Sequence, residues 1–239
     1  MALTGALLLV SLAVSPAQAQ GQAKSRHYII GVDRSGSRTA QQLADMRQFL
    51  DALLQQASYG DRVEIVEVLQ SPLDNVRQFR DSIPALRSGQ APSNREERRK
   101  RAVQSAFRSA AQVFTDTAGI SRIRHTDIFA FLTRVSDYIE PASGRETLLI
   151  LLSDMIHDTP ELNLSRSNAI PGATWIRQRA DAGLVPSLRG ACFVAVGVDV
   201  GTPRAARLKQ FWFDYMRTAG AIVVDGNYRG TMSAANLRC

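Results

Sequence analysis

The sequence predicts a three-layer α/β fold, a mostly parallel, doubly wound, Rossmann-like sheet covered by helices on both faces. Three observations predict it. Strand-length runs such as YIIGV (Tyr28 to Val32) and TLLILL (Thr147 to Leu152) are apolar almost throughout, as strands buried on both faces are. Amphipathic helical patterns separate these runs, and parallel strands need such crossovers. The chain has 239 residues, 45% hydrophobic and 21% charged, enough for one well-buried core.

Residues 1–19 stand apart. Ala6 to Val14 reads ALLLVSLAV, Ser15-Pro16 breaks the run, and Ala17-Gln18-Ala19 ends on the small residues that a signal peptidase accepts. A basic stretch before the run is missing, and the run is too short to span a membrane. The expectation is a cleaved signal segment (1–19), one mature domain (20–239), and a periplasmic or secreted location. No later stretch is long and apolar enough to span a membrane.

The domain begins with the strand Tyr28–Val32, followed by a helix from Ala40 to about Gln56 with Leu43, Met46, Leu50, Leu53 and Leu54 on one face. A second strand, Val63–Leu69, follows Gly60-Asp61, and a short edge strand is placed around Val76–Phe79. Ser88 to Ser93, with Gly89 and Pro92, is a loop. Beyond it, Val103, Ala106, Phe107, Ala110 and Val113 fall at helical spacing. The second half reads as a helix Thr126–Ile139, a strand Thr147–Leu152, a helix Thr174–Ala182, a strand Cys192–Val198, a helix Arg204–Ala219 and a strand Ala221–Val224. Trp175 and Trp212 lie in helical patterns and read as core; His27, His125 and His157 are scattered and read as surface or packing residues rather than zinc ligands.

The formal charge is +7, and residues 1–19 carry none of it. Arg95, Arg98, Arg99, Lys100 and Arg101 crowd the start of one helix, beside Glu96 and Glu97. A solvated helix face with Glu–Arg pairs is the simplest reading, and an anion-binding patch is the functional one. Nucleic-acid binding through this run is the least favoured, and would show as steep salt dependence. Two cysteines, Cys192 and Cys239, suit neither a Cys-rich metal site nor a disulfide-dense miniprotein, though one bridge between them is possible in an oxidising compartment.

In a doubly wound sheet, ligands gather at the carboxyl ends of the strands. Two such ends are acidic and hydroxyl-rich: Asp33, Ser35 and Ser37 after the first strand, and Asp154 after Leu151-Leu152-Ser153. The first is not a phosphate-binding loop, because Gly31 and Gly36 are followed by Ser37-Arg38 and the motif's lysine is missing. It is not a dinucleotide fingerprint, since Asp33 stands where pyrophosphate would lie, and it lacks the glycines of a nucleophile elbow. Asp33, Ser37 or Thr126 as helix caps is the plainer alternative. Two carboxylates with neutral hydroxyls and no soft ligands make a hard oxygen site that suits Mg2+, with Mn2+ or Ca2+ as substitutes.

Asp33-Arg34-Ser35-Gly36-Ser37 resembles the Asp-x-Ser-x-Ser stretch of the metal-ion-dependent adhesion site in von Willebrand factor type A (VWA) domains. Asp154 matches that family's aspartate after the fourth strand, and Thr126 in Arg124-His125-Thr126-Asp127-Ile128 matches its threonine. The resemblance runs from about Tyr28 to Val224. It implies sheet order 3-2-1-4-5-6 with one antiparallel edge strand. It also implies metal contact by Ser35, Ser37 and Thr126, with Asp33 and Asp154 acting mainly through water, and a partner protein that supplies a carboxylate to the metal. Family members often have glycine before the threonine and after the third-loop aspartate, where this chain has His125 and Met155. Two other functions compete: a metal-assisted phosphoester hydrolase using Asp33 and Asp154 with His157 or Asp158 as acid or base, and a structural subunit whose metal site has decayed.

Overall fold

The structure, a computed structural model, describes residues 24–35, 39–68, 77–87, 89–116, 125–166 and 170–239. The signal segment, Ser37, Leu69 and Val76 lie outside the described residues.

Six strands, β1 (Arg26–Asp33), β2 (Arg62–Val68), β3 (Gln78–Ser82), β4 (Glu146–Leu152), β5 (Ala191–Val196) and β6 (Ile222–Arg229), form one sheet in the order β3-β2-β1-β4-β5-β6. All neighbours are parallel except β2 and β3. The helices are α1 (Ala40–Gln55), α2 (Asn94–Thr115), α3 (Ile128–Ser136), α4 (Ala173–Asp181) and α5 (Pro203–Thr218). None of the helices among the described residues is long and apolar enough to cross a membrane.

Strand alternation sends Tyr28, Ile30, Val32, Leu148, Ile150 and Leu152 to one face, where they pack on α1 and α2. Ile29, Leu149, Leu151 and Phe193 face the other way, onto α3, α4 and α5. Glycine in mid-strand normally weakens a sheet. Gly31 is there because the Phe131 ring lies over it: a Cβ would meet Phe131 Cζ at 2.5 Å. Between the helices of that layer, Phe129 contacts the rings of His157, Trp175, Phe211, Trp212 and Tyr215.

Start signals set the helix boundaries. Thr39 with Gln42 and Ser93 with Glu96 close reciprocal capping boxes at α1 and α2. The α3 helix begins two residues later than its periodicity implied, because Asp127 rather than Thr126 is the cap, accepting from Ala130 N at 2.9 Å.

Both sheet edges also differ from expectation. The β3 strand runs Gln78–Ser82, three residues beyond the expected end at Phe79, and it is largely exposed, with Phe79 alone half-buried. An edge strand covered on so little of its surface carries no apolar run to mark its limits. The β6 strand continues past Val224, because after Val223 pairs with Phe193 the chain bulges through Asp225-Gly226 and rejoins β5 at Tyr228 and Arg229. Cys192, in β5, is bonded to Cys239, so the C-terminal tail is tied back to an inner strand.

Candidate metal site at the carboxyl ends of β1 and β4

Asp33 is the last residue of β1 and is 1% exposed. Its Oδ1 accepts from Ser35 N at 2.8 Å and from Thr126 Oγ1 at 3.4 Å, and its Oδ2 accepts from Ser153 Oγ at 2.7 Å. One buried carboxylate therefore draws together the end of β1, the end of β4 and the segment before α3. The next residue, Arg34, donates to Glu67 Oε1 and to the carbonyl of Asp116, both at 3.2 Å, so its guanidinium reaches toward the ends of β2 and α2.

Ser153 and Asp154 follow β4 directly. Ser153 is anchored to β5 through its backbone N–H, which donates to Val196 O, and its hydroxyl also accepts from Met155 N at 2.9 Å. Asp154 is 8% exposed, with Oδ1 accepting from Ile156 N at 2.9 Å. Met155 has φ 62°, the left-handed conformation that favours glycine. The chain thus keeps a glycine-like turn at the position where VWA domains often have glycine, at a backbone cost of about 1–2 kcal/mol. Two interactions offset it: the Met155 side chain is fully buried, and its carbonyl accepts from Trp212 Nε1 at 2.8 Å.

Thr126 is pinned from its other side. Its backbone exchanges two hydrogen bonds with Asp158, at 3.1 and 2.9 Å, which ties the segment before α3 to the segment after β4. His125 Nδ1 lies 3.4 Å from Asp158 Oδ2. His157 is buried, with Nδ1 accepting from Ile128 N at 3.2 Å and Nε2 3.1 Å from Thr159 Oγ1. Burial, then the charge of Arg179, pushes its pKa down to about 4. With both nitrogens engaged and the ring held neutral, His157 is a poor general acid or base. Asp158, the other candidate, has its carboxylate taken by Asn163 and His125.

Of the sequence-predicted set, the structure brings Asp33, Ser35, Thr126 and Asp154 to one end of the sheet; Ser37 lies outside the described residues. Among the described residues, no three of His, Cys, Asp and Glu form a cluster, so any cation here would rest on two carboxylates and hydroxyls. Ser153 is the participant that sequence reasoning missed, and its signal was a hydroxyl immediately before the strand-end acid.

The basic run stands elsewhere. Its helix ends near the site, where Arg34 reaches Asp116, but Gln104, nearer the helix start, donates to Gln55 and Ala57 at the far end of α1. Arg95, Arg98, Arg99 and Arg101 are exposed at that opposite end, Lys100 lies over the Tyr59 ring, and Arg101 pairs with Glu97 at 3.9 Å. Glu96 serves the capping box instead.

The sheet order and the three loops gathered on Asp33 decide the architecture. The fold is VWA-like. No family model and no curated protein matches the chain. Among solved structures, it is similar to an aerotolerance-related membrane protein from Bacteroides fragilis, at 12% identity and TM-score 0.43, over 84% of this chain and 90% of that one. It is also similar to the pilus adhesin SpaC from Lactobacillus rhamnosus, at 13% identity and TM-score 0.46, over 91% of this chain and 29% of that one. A third is a von Willebrand factor type A protein from Catenulispora acidiphila, at 15% identity and TM-score 0.34, over 83% of this chain and 43% of that one. The chain therefore spans under half the length of the last two.

Proposed function

We propose that this VWA-like chain is an exported binding module that uses a divalent cation, Mg2+ by the hardness of its donors, to capture a partner protein through a carboxylate. The observation that carries this reading is the convergence of Ser35 N, Thr126 Oγ1 and Ser153 Oγ on the buried Asp33 carboxylate, with Asp154 on the adjoining loop. The donor set fits such a cation: hard oxygens of two acids and neutral hydroxyls, with no thiol. Ser35, Ser37 and Thr126 would offer hydroxyls, while Asp33 and Asp154 would supply the negative charge. Bound there, the cation would supply a Lewis-acidic seat for the partner's acid.

The Cys192–Cys239 bridge supports the export half of the reading, because disulfides persist in oxidising compartments. The test is affinity capture from an envelope fraction with Mg2+ or with chelator, using wild type and Asp154→Ala. The reading requires a partner retained only by wild type with Mg2+. A partner retained equally by both proteins in chelator would make the chain a structural subunit with a decayed metal site.

A further inference from the structure

Beside the candidate metal site, between α3 and α4, lies a cleft of about 1040 Å³. Such a volume is at the upper end of what small-ligand pockets need. Its apolar lining includes Phe129, Trp175, Leu162 and Leu184, the last 53% exposed to solvent. Sequence periodicity assigned Trp175 to the core, but it is half-buried and forms part of this wall.

Arg179 is the permanently charged cation among the side chains lining the cleft, which also include His125. Its guanidinium carbon lies 5.0 Å from the Trp175 centroid and 5.6 Å from the Phe129 centroid. Its Nε is buried, and among the described residues no acceptor reaches it. Nor does any acid among the described residues form an ion pair with Arg179. An arginine held by cation–π contact still has its terminal N–H groups as a planar fork, and that fork matches a carboxylate. Asp127 and Glu161 also line the cleft, so a dianion such as phosphate would meet two acids against one arginine. His157, whose ring lies 4.5 Å from Phe129, is neutral above its lowered pKa and adds no second cation.

We propose that the α3–α4 cleft binds a monoanionic carboxylate carried on an apolar or aromatic body, with Arg179 holding the carboxylate and Phe129, Trp175 and Leu162 holding the body. This site is separate from the metal, and the test is run in chelator so that no acid binds through a cation. Wild type is titrated with N-acetyl-phenylalanine, 3-phenylpropionate and a tripeptide ending in phenylalanine, each beside its carboxamide. Saturation-transfer NMR and tryptophan fluorescence report binding.

Acids should bind about tenfold tighter than their amides, the ratio that loss of one charge-assisted contact gives. Arg179→Gln should erase that preference and Arg179→Lys should reduce it, with melting curves confirming that each variant is folded. Should Arg179→Gln not fold, the reduced preference in Arg179→Lys decides. A tighter tripeptide would identify a peptide C-terminus as the source; equal affinities would identify a free organic acid. The proposal is overturned if no probe binds at millimolar concentration, if acids and amides bind alike, or if the preference survives substitution of Arg179.

Discussion

At the scale of single residues, Asp33 depends on donors from other segments, and the shortest such contact among the described residues is the Ser153 hydroxyl at 2.7 Å. A hydrogen bond to a buried charged group contributes about 1.5–3 kcal/mol, so Ser153→Ala should lower stability in chelator by about 2 kcal/mol in urea unfolding. A loss under 0.5 kcal/mol would mean that Asp33 is held by other means. His157 gives the site a pH signature. Its folded pKa of about 4 lies below the ordinary 6.5, so between those values the unfolded chain binds the additional proton. Stability from this group is therefore full above pH 6.5 and falls as pH drops toward 4, at up to about 1.4 kcal/mol per unit. His157→Gln should flatten the difference in unfolding free energy between neutral and mildly acidic buffer; an unchanged slope would remove His157 as its source. Asp33 and Asp154 were legible in the sequence because acids at the ends of apolar strands are conspicuous. Ser153 was not, since a serine there reads equally as a turn residue. Nor could sequence alone show Met155 in a left-handed turn, because its burial and its Trp212 contact are tertiary facts.

Among elements, β1 and α3 meet through a close fit, the Phe131 ring against the bare Cα of Gly31. Adding one methyl group there overpacks the interface, and Gly31→Ala should cost about 1–3 kcal/mol. Because the cause is a clash with one ring, Gly31→Ala with Phe131→Leu should lose less than the sum of the single losses. Additive losses in denaturant titrations would place the strain elsewhere. The central strands were readable because burial on both faces writes an unbroken apolar run. The edges were not. The β3 sequence QFRDS has almost no buried face, and β6 is interrupted by an Asp-Gly bulge that looks like an end. At α3 the local chemistry of two neighbouring cap residues, Thr126 and Asp127, competed. Tertiary context settled it, since the Thr126 hydroxyl turns to Asp33 and leaves the cap to Asp127.

For the whole molecule, the Cys192–Cys239 bridge closes 47 residues of sequence separation. Chain-entropy reasoning gives about 4 kcal/mol for such a loop, an upper figure, so a Cys192→Ser/Cys239→Ser protein should be roughly 2–4 kcal/mol less stable in urea. Equal stability would mean that the tail contributes nothing to the fold. The polarity of the sheet sets the functional layout: β1 and β4 deliver their acids to one end, while the exposed arginines of α2 stand at the other. The proposed divalent cation at the acid-bearing end would make thermal stability depend on Mg2+. Wild type should gain melting temperature as Mg2+ rises, corresponding to about 2.7 kcal/mol at a hundredfold excess over the dissociation constant. Asp33→Ala should stay folded and lose that gain, while Arg99→Ala should keep it. A wild-type melting temperature indifferent to Mg2+, or a gain of equal size in Asp33→Ala, would contradict the claim and leave those residues as ties between loops.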